Sequence, residues 1–271
     1  MFQPEGNLAQ GPADPEREAG AQQRTAPQEL MAAFQPEGMA WAPDRPDVLE
    51  LLARSRHLDT RSIVYGSNAC FLIVLEDVSA GRSLAVYKPA RGEYPLWDFP
   101  EGTLHRREVA SFEVDRLLGW RLVPPTVLGR GRHGPGSIQL FVEESEAGGQ
   151  VPVSSLRRLA LLDWILNNAD RKADHILVST SGQLLGIDHG LTFHVQPKLR
   201  TILWHFAGER IDDSDLDDLR RLRALLQGPS SRRVHHLLDP LEWKALLRRI
   251  DGLVAGEVFP DPAHKAIPYR W

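Results

Sequence analysis

The sequence predicts an α+β fold in two lobes, an antiparallel sheet first and a mainly helical half after it. Three observations predict it. Short β-rich runs broken by turn residues fill the first half of the ordered chain, and apolar residues at helical spacing fill the second. A polar, glycine-containing stretch at residues 143–150 lies between them. A chain of 271 residues can bury a good core as one large domain or as one such two-lobed unit. The predicted division is a disordered tail over 1–44, an N-lobe over 45–145 and a C-lobe over 146–271.

Composition narrows the partners. Hydrophobic and charged fractions of 42% and 25% are ordinary for a globular protein. A formal net charge of -4 gives no whole-chain electrostatic case for nucleic acid. A single cysteine, Cys70, excludes an intramolecular disulfide and a multi-cysteine zinc site. The apolar run at 70–75 is far too short to span a bilayer, and the N-terminus has no basic-then-apolar signal pattern. The expectation is a cytoplasmic protein with no transmembrane segment.

The first 44 residues are rich in Pro, Gly, Gln, Glu and Ala, without the apolar surface needed to offset the entropy of ordering. The pentapeptide at 2–6 recurs at 34–38, too few copies for a solenoid. Val48, Leu49, Leu51 and Leu52 predict a short helix. Gly66, Ser67 and Asn68 then form a turn between two extended runs, the second of them the Cys70 strand. Backbone N–H groups at Gly66 and Ser67 could approach phosphates there, although most Gly-Ser turns are only turns.

A third strand ends at Lys88. Its ammonium is either a solvated strand end or a holder of phosphate oxygens steadied by a carboxylate. A partner follows in Glu108, on a helix predicted from an N-cap at Thr103 to Leu118 and ended by Gly119. An acidic residue near a helix start is also favoured by the helix dipole alone. Between the two lies an aromatic-rich loop at 92–102, a packed loop or a flap over a ligand. Strands are expected over 122–128 and 137–142, then a helix capped by Ser154 or Ser155 and running to Asn167. Two further helices, 213–227 and 241–253, precede a tail at 263–271.

The chain is organised around residues 163–193. Asp170 and Asp188 stand at opposite ends of a predicted hairpin, whose folding brings its ends together. Two carboxylates facing one pocket suit a site that orients an acceptor and holds a metal against phosphate oxygens. The bland alternative is that each aspartate caps a turn. That alternative does not account for a lysine and a glutamate upstream.

The order of these parts resembles the protein-kinase-like fold, in its phosphatidylinositol 3-/4-kinase branch with HipA-like and Fam20-like relatives. The runs Tyr87-Lys88-Pro89, Trp97-Asp98-Phe99-Pro100 and Asn167-Asn168-Ala169-Asp170-Arg171-Lys172 look most like an actinobacterial group described as phosphatidylinositol-kinase-like. The resemblance covers roughly residues 60–210. It implies an ATP-dependent phosphotransferase using Mg2+ or Mn2+, acting on a hydroxyl of a protein, small molecule or lipid head group. It also implies that Gly66, Ser67 and Asn68 cover the phosphates, Lys88 contacts them and Glu108 pairs with Lys88. Gln139, Phe141 and Glu143 would form the hinge against adenine. Asp170 would orient the acceptor, Arg171 or Lys172 would offset charge on the transferred group, and Asp188 would bind metal.

One position departs from the family. Five residues after the acceptor-orienting aspartate the family has a metal-binding asparagine, and here His175 stands in that place. Imidazole suits magnesium poorly. His175 would therefore ligate a softer ion such as manganese or contact phosphate, or one metal position is lost. The departure keeps a catalytically weak nucleotide-binding module open, and AMP transfer on the same fold is a third reading.

Overall fold

The computed structural model describes residues 41–63, 68–145 and 151–261. Its first half is a five-stranded antiparallel sheet. Strands β1 (Arg56–Ile63), β2 (Cys70–Asp77) and β3 (Gly81–Pro89) form the expected meander, and the hairpin of β4 (Thr126–Gly131) and β5 (Gly134–Leu140) completes the order β1-β2-β3-β5-β4. Alternation assigns the two faces of this sheet. Ile73, Leu75, Ala85, Tyr87, Ile138 and Leu140 pack with Val48, Leu51 and Leu52 of helix α1 (Val48–Arg54). Lys88, one residue beyond Tyr87, points to the other face, toward the second lobe.

Residues 41–44, expected to belong to a disordered tail, are among the described residues. Trp41 is buried, its amide donates to Ser83 Oγ and its indole N–H to the Ala80 carbonyl at 3.0 Å. Residues 1–40, with both copies of the pentapeptide, lie outside the described residues, as do 64–67, 146–150 and the expected docked tail at 263–271.

The fourth strand begins later than residue 122. Pro124 and Pro125 have no N–H to give a ladder, and the amides of Leu122 and Val123 are taken by Asp115 Oδ2 at 2.8 and 2.9 Å. Helix α2 (Leu104–Leu118) lies between the sheet and the second lobe. It ends where Gly119 takes φ 79°, a left-handed conformation that glycine adopts without steric cost. Thr103 does sit at its N-cap, but the hydroxyl donates to the Pro100 carbonyl at 2.7 Å and does not cap the helix.

The larger core joins α2 to the helices of the second lobe. Phe112, Val114 and Leu118 pack with Leu159, Leu162 and Leu166 of α3 (Val153–Leu166), with Leu216 and Leu219 of α4 (Asp213–Leu225), and with Leu246 and Ile250 of α6 (Pro240–Gly256); a short α5 (Arg232–His235) intervenes. Helix α3 starts after Pro152, whose carbonyl accepts from Ser155 and Leu156, so neither predicted serine caps it. Strands β6 (Ile176–Val178) and β7 (Leu184–Gly186) form the expected hairpin. Residues 143–145 pair with its turn, the Ser145 amide donating to the Val178 carbonyl at 2.8 Å. Among the described residues no helix is long and apolar enough to cross a membrane.

Candidate active site

Three segments of the chain converge at Lys88. Strand β3 carries it one residue before its end, helix α2 presents Glu108 from its second turn, and β7 delivers Asp188 two residues past its end. The Lys88 ammonium lies 2.5 Å from Glu108 Oε1 and 2.8 Å from Asp188 Oδ1. Glu108 is buried, 3% exposed, whereas Asp188 keeps 38% of its side chain open to solvent. The glutamate is thus not the solvated helix-start residue that the dipole alone would explain. Burial works against the Lys88 charge, yet Asp188 and Glu108 outweigh it and raise the ammonium's pKa. Partial burial opposes ionisation of Asp188, but the Lys88 ammonium holds it below the usual carboxylate range.

Asp188 adopts φ 59°, uncommon for a residue with a side chain. Neighbouring contacts hold it there. The Ile187 amide donates to the His175 carbonyl at 3.0 Å, and the His189 amide donates to Glu108 Oε2 at 3.0 Å. The same glutamate therefore grips the lysine with one oxygen and the backbone after Asp188 with the other.

His175 faces this cluster from the short turn before β6. Its Nδ1 lies 2.9 Å from the Asp170 carbonyl, which can only accept, so that nitrogen carries the proton. Its Nε2 faces Asp188 Oδ2, 3.3 Å away. A proton on Nε2 or a cation between the two groups would satisfy both. The pair fits a divalent ion, and the described residues hold no group of three such ligands. A metal brought in by phosphate oxygens needs only one or two protein ligands.

Asp170 opens the loop that links α3 to the hairpin. Its carboxylate is 24% exposed and pairs with Lys172 at 2.9 Å, and its amide donates to Asn168 Oδ1 at 3.0 Å. Arg171 does not join it. Its side chain is 0% exposed and turns into the second lobe, donating to Asp163 at 2.9 Å, to the Ile187 carbonyl at 2.8 Å and to His189 Nε2 at 2.7 Å. The expectation that Arg171 offsets charge on a transferred group is corrected: its fork is occupied in holding the loop to the Asp188 segment. Burial and the neighbouring guanidinium push the His189 pKa well below its ordinary value, which keeps that imidazole a neutral acceptor.

Sequence reasoning missed Asp163, which takes Arg171, Asn168 and Thr201 on its two oxygens from within α3. The signal was present, since an acid inside the apolar run at 159–166 needs buried partners.

The remaining predicted residues are spread more widely. Gly66 and Ser67 lie outside the described residues. Asn68 accepts the Tyr94 amide on Oδ1 at 2.6 Å, tying the segment before β2 to the aromatic loop. Gln139 is buried and donates to Thr126 Oγ1 at 2.9 Å, so its side chain is spent inside the sheet. The Phe141 amide donates to Leu84, and the Glu143 carbonyl accepts from Thr180. A recess of about 570 Å³ bounded by His57, Thr60, Arg130 and Arg132 touches none of the predicted site residues.

The aromatic loop packs across to the second lobe. Asp98 pairs with Lys198 at 2.7 Å, Lys198 lies over the Trp97 ring, and Phe99 meets His194 edge-on.

Comparison with known proteins decides the family. Protein Rv2133c of Mycobacterium tuberculosis is 38% identical over 245 aligned positions, which cover 75% of this chain and 87% of that protein. The chain belongs to the Rv2133c family. Residues 132–232 also match the family model for phosphatidylinositol 3- and 4-kinase, a span that includes β5, α3, Asp170 and Asp188. Phosphatidylinositol 4-kinase gamma 4 of Oryza sativa subsp. japonica is 32% identical over 157 positions, 43% of this chain and 28% of that protein. The Golgi casein kinase has a similar fold, with a TM-score of 0.51 at 17% identity over 79% of this chain and 75% of its own. Hydra Fam20, solved with sugar, gives 0.51 at 14% identity over 84% and 94%. This chain thus carries the two-lobed protein-kinase-like fold expected from the order of its parts.

Proposed function

We propose that this chain is an ATP-dependent phosphotransferase with a hydroxyl acceptor. The observation that carries the reading is the Lys88 ammonium held between a buried glutamate and an open aspartate. A fixed cation beside an exposed carboxylate is what a triphosphate with its metal requires, and such sites act mainly by positioning and electrostatics. In this reading Lys88 takes the nucleotide phosphates while Glu108 keeps it in place. Asp188, with His175, holds a divalent ion, which when bound would supply positive charge against the phosphate oxygens. Asp170 orients the acceptor hydroxyl and receives its proton as the oxygen bonds to the γ-phosphorus and ADP leaves. Lys172, beside Asp170, offsets the charge there. Gly66, Ser67 and Asn68 cover the phosphates, and residues 139–143 border the adenine. The acceptor is a protein, small-molecule or lipid head-group hydroxyl.

His175 in the place of an asparagine favours a second reading, a nucleotide-binding module with little transfer. Incubation of the protein and cell extract with γ-labelled or α-labelled ATP, in Mg2+ or Mn2+, separates the possibilities. Transfer from the γ position, abolished by Asp170→Asn, supports the phosphotransferase. Transfer from the α position means AMP transfer, and no transfer despite nucleotide binding means the regulatory module.

A further inference from the structure

We infer that Arg107 and Glu242 form a positioning pair that fixes the Asp188 segment against helix α2, and the inference rests on the proposed nucleotide site. Arg107 immediately precedes Glu108 on α2 and is 1% exposed. One arm of its guanidinium donates to the Thr192 carbonyl and the other to Glu242 Oε1. Its Nε reaches Thr103 Oγ1 at 3.3 Å, and its guanidinium carbon lies 5.0 Å from the centre of the Phe99 ring. Two successive residues of α2 therefore hold one stretch of chain at both ends. Glu108 takes the His189 amide just after Asp188, and Arg107 takes the Thr192 carbonyl three residues later. Within that stretch Thr192 Oγ1 donates to the His189 carbonyl at 2.7 Å and lies 3.3 Å from Ser111 Oγ, so the turn is tied to α2 a third time.

Glu242 fixes the far side. It stands in the first turn of α6, and its second oxygen accepts the Asp239 amide at 3.0 Å in a capping box. A carboxylate fixed to its own helix is a firm anchor for a buried guanidinium. Swinging α2 away from the second lobe would leave two buried charges unpaired, a large penalty. The helix that carries Glu108 is thus held in its lysine-pairing position by the fold itself, before any ligand arrives. Arg107 acts through Asp188 and Glu108; it is a positioning residue.

The test uses Arg107→Met, Arg107→Lys and Glu242→Gln in the full chain, with two readouts. Hydrogen exchange of peptides over residues 187–193 should speed at least tenfold in Arg107→Met, less in Arg107→Lys, with peptides over α4 unchanged. In calorimetry, the tightening of ATP binding by Mn2+ should fall at least fivefold in Arg107→Met and Glu242→Gln, with metal-free ATP affinity within twofold of wild type. A role confined to stability would lower the melting temperature and leave the metal-dependent tightening intact, and that result overturns the inference. If Arg107→Met does not fold, Glu242→Gln decides by the same readouts. Wild-type protein that binds no nucleotide overturns the proposed function, and the positioning pair then stands or falls on the exchange data.

Discussion

Lys88 Nζ lies 2.8 Å from Oδ1 of Asp188, a residue one hundred positions later in the chain. The contact joins the last residues of a sheet strand to a left-handed turn in the other lobe. It exists because Glu108 holds both partners, the lysine through one oxygen and the His189 amide through the other.

Lys88→Met tests that junction from the lysine side. A charge-assisted hydrogen bond contributes about 1.5–3 kcal/mol, so ATP affinity measured by calorimetry should fall by roughly 10- to 100-fold. Loss of its cation also leaves Glu108 buried without a counter-charge, which costs about 1–3 kcal/mol in urea unfolding. Unchanged ATP affinity with lowered stability would reduce Lys88 to a structural role.

Arg171 and Lys172 are adjacent and should behave oppositely. Arg171→Ala removes one partner of an ion pair in which both side chains are 0% exposed, a change that destabilises by about 3–5 kcal/mol. Lys172→Ala loses a partly exposed pair with Asp170, worth about 0–1 kcal/mol. Thermal unfolding of the two variants separates them, and equal losses would contradict the inward placement of Arg171.

Asp115 makes stability depend on pH. Burial pushes its carboxyl up to about 7, against the backbone donors Val123 and Leu122. An acid whose folded pKa is raised binds more protons folded than unfolded between about pH 4 and 7, so stability falls as pH rises through that window. Asp115 Oδ1 is buried with no partner among the described residues, which suits a protonated oxygen. Wild type should lose a few kcal/mol between pH 4 and 7 relative to Asp115→Asn, and parallel stability curves for the two proteins would refute this.

Much of this arrangement was legible in the sequence for a physical reason. Short β-rich runs broken by turn residues and the Gly119 stop are local signals, and they place β3, α2 and the hairpin in order. The approach of Lys88, Glu108 and Asp188 follows from that order once the fold is recognised. Arg171 and Arg107 were not legible. Whether a guanidinium faces solvent or the interior depends on partners such as Asp163 and Glu242, which come from other parts of the chain. The placement of Trp41 was hidden for a similar reason, because one aromatic residue docks on Ala80 and Ser83 rather than on its neighbours.

The most direct measurement is calorimetric titration of ATP into wild type and Asp188→Asn, each with and without Mn2+. Wild type should bind ATP at least tenfold more tightly with the metal, a gain of about 1.4 kcal/mol. Asp188→Asn should keep the metal-free affinity and lose the gain. A variant that retains the full metal-dependent tightening, or a wild type that shows none, would contradict the site described here.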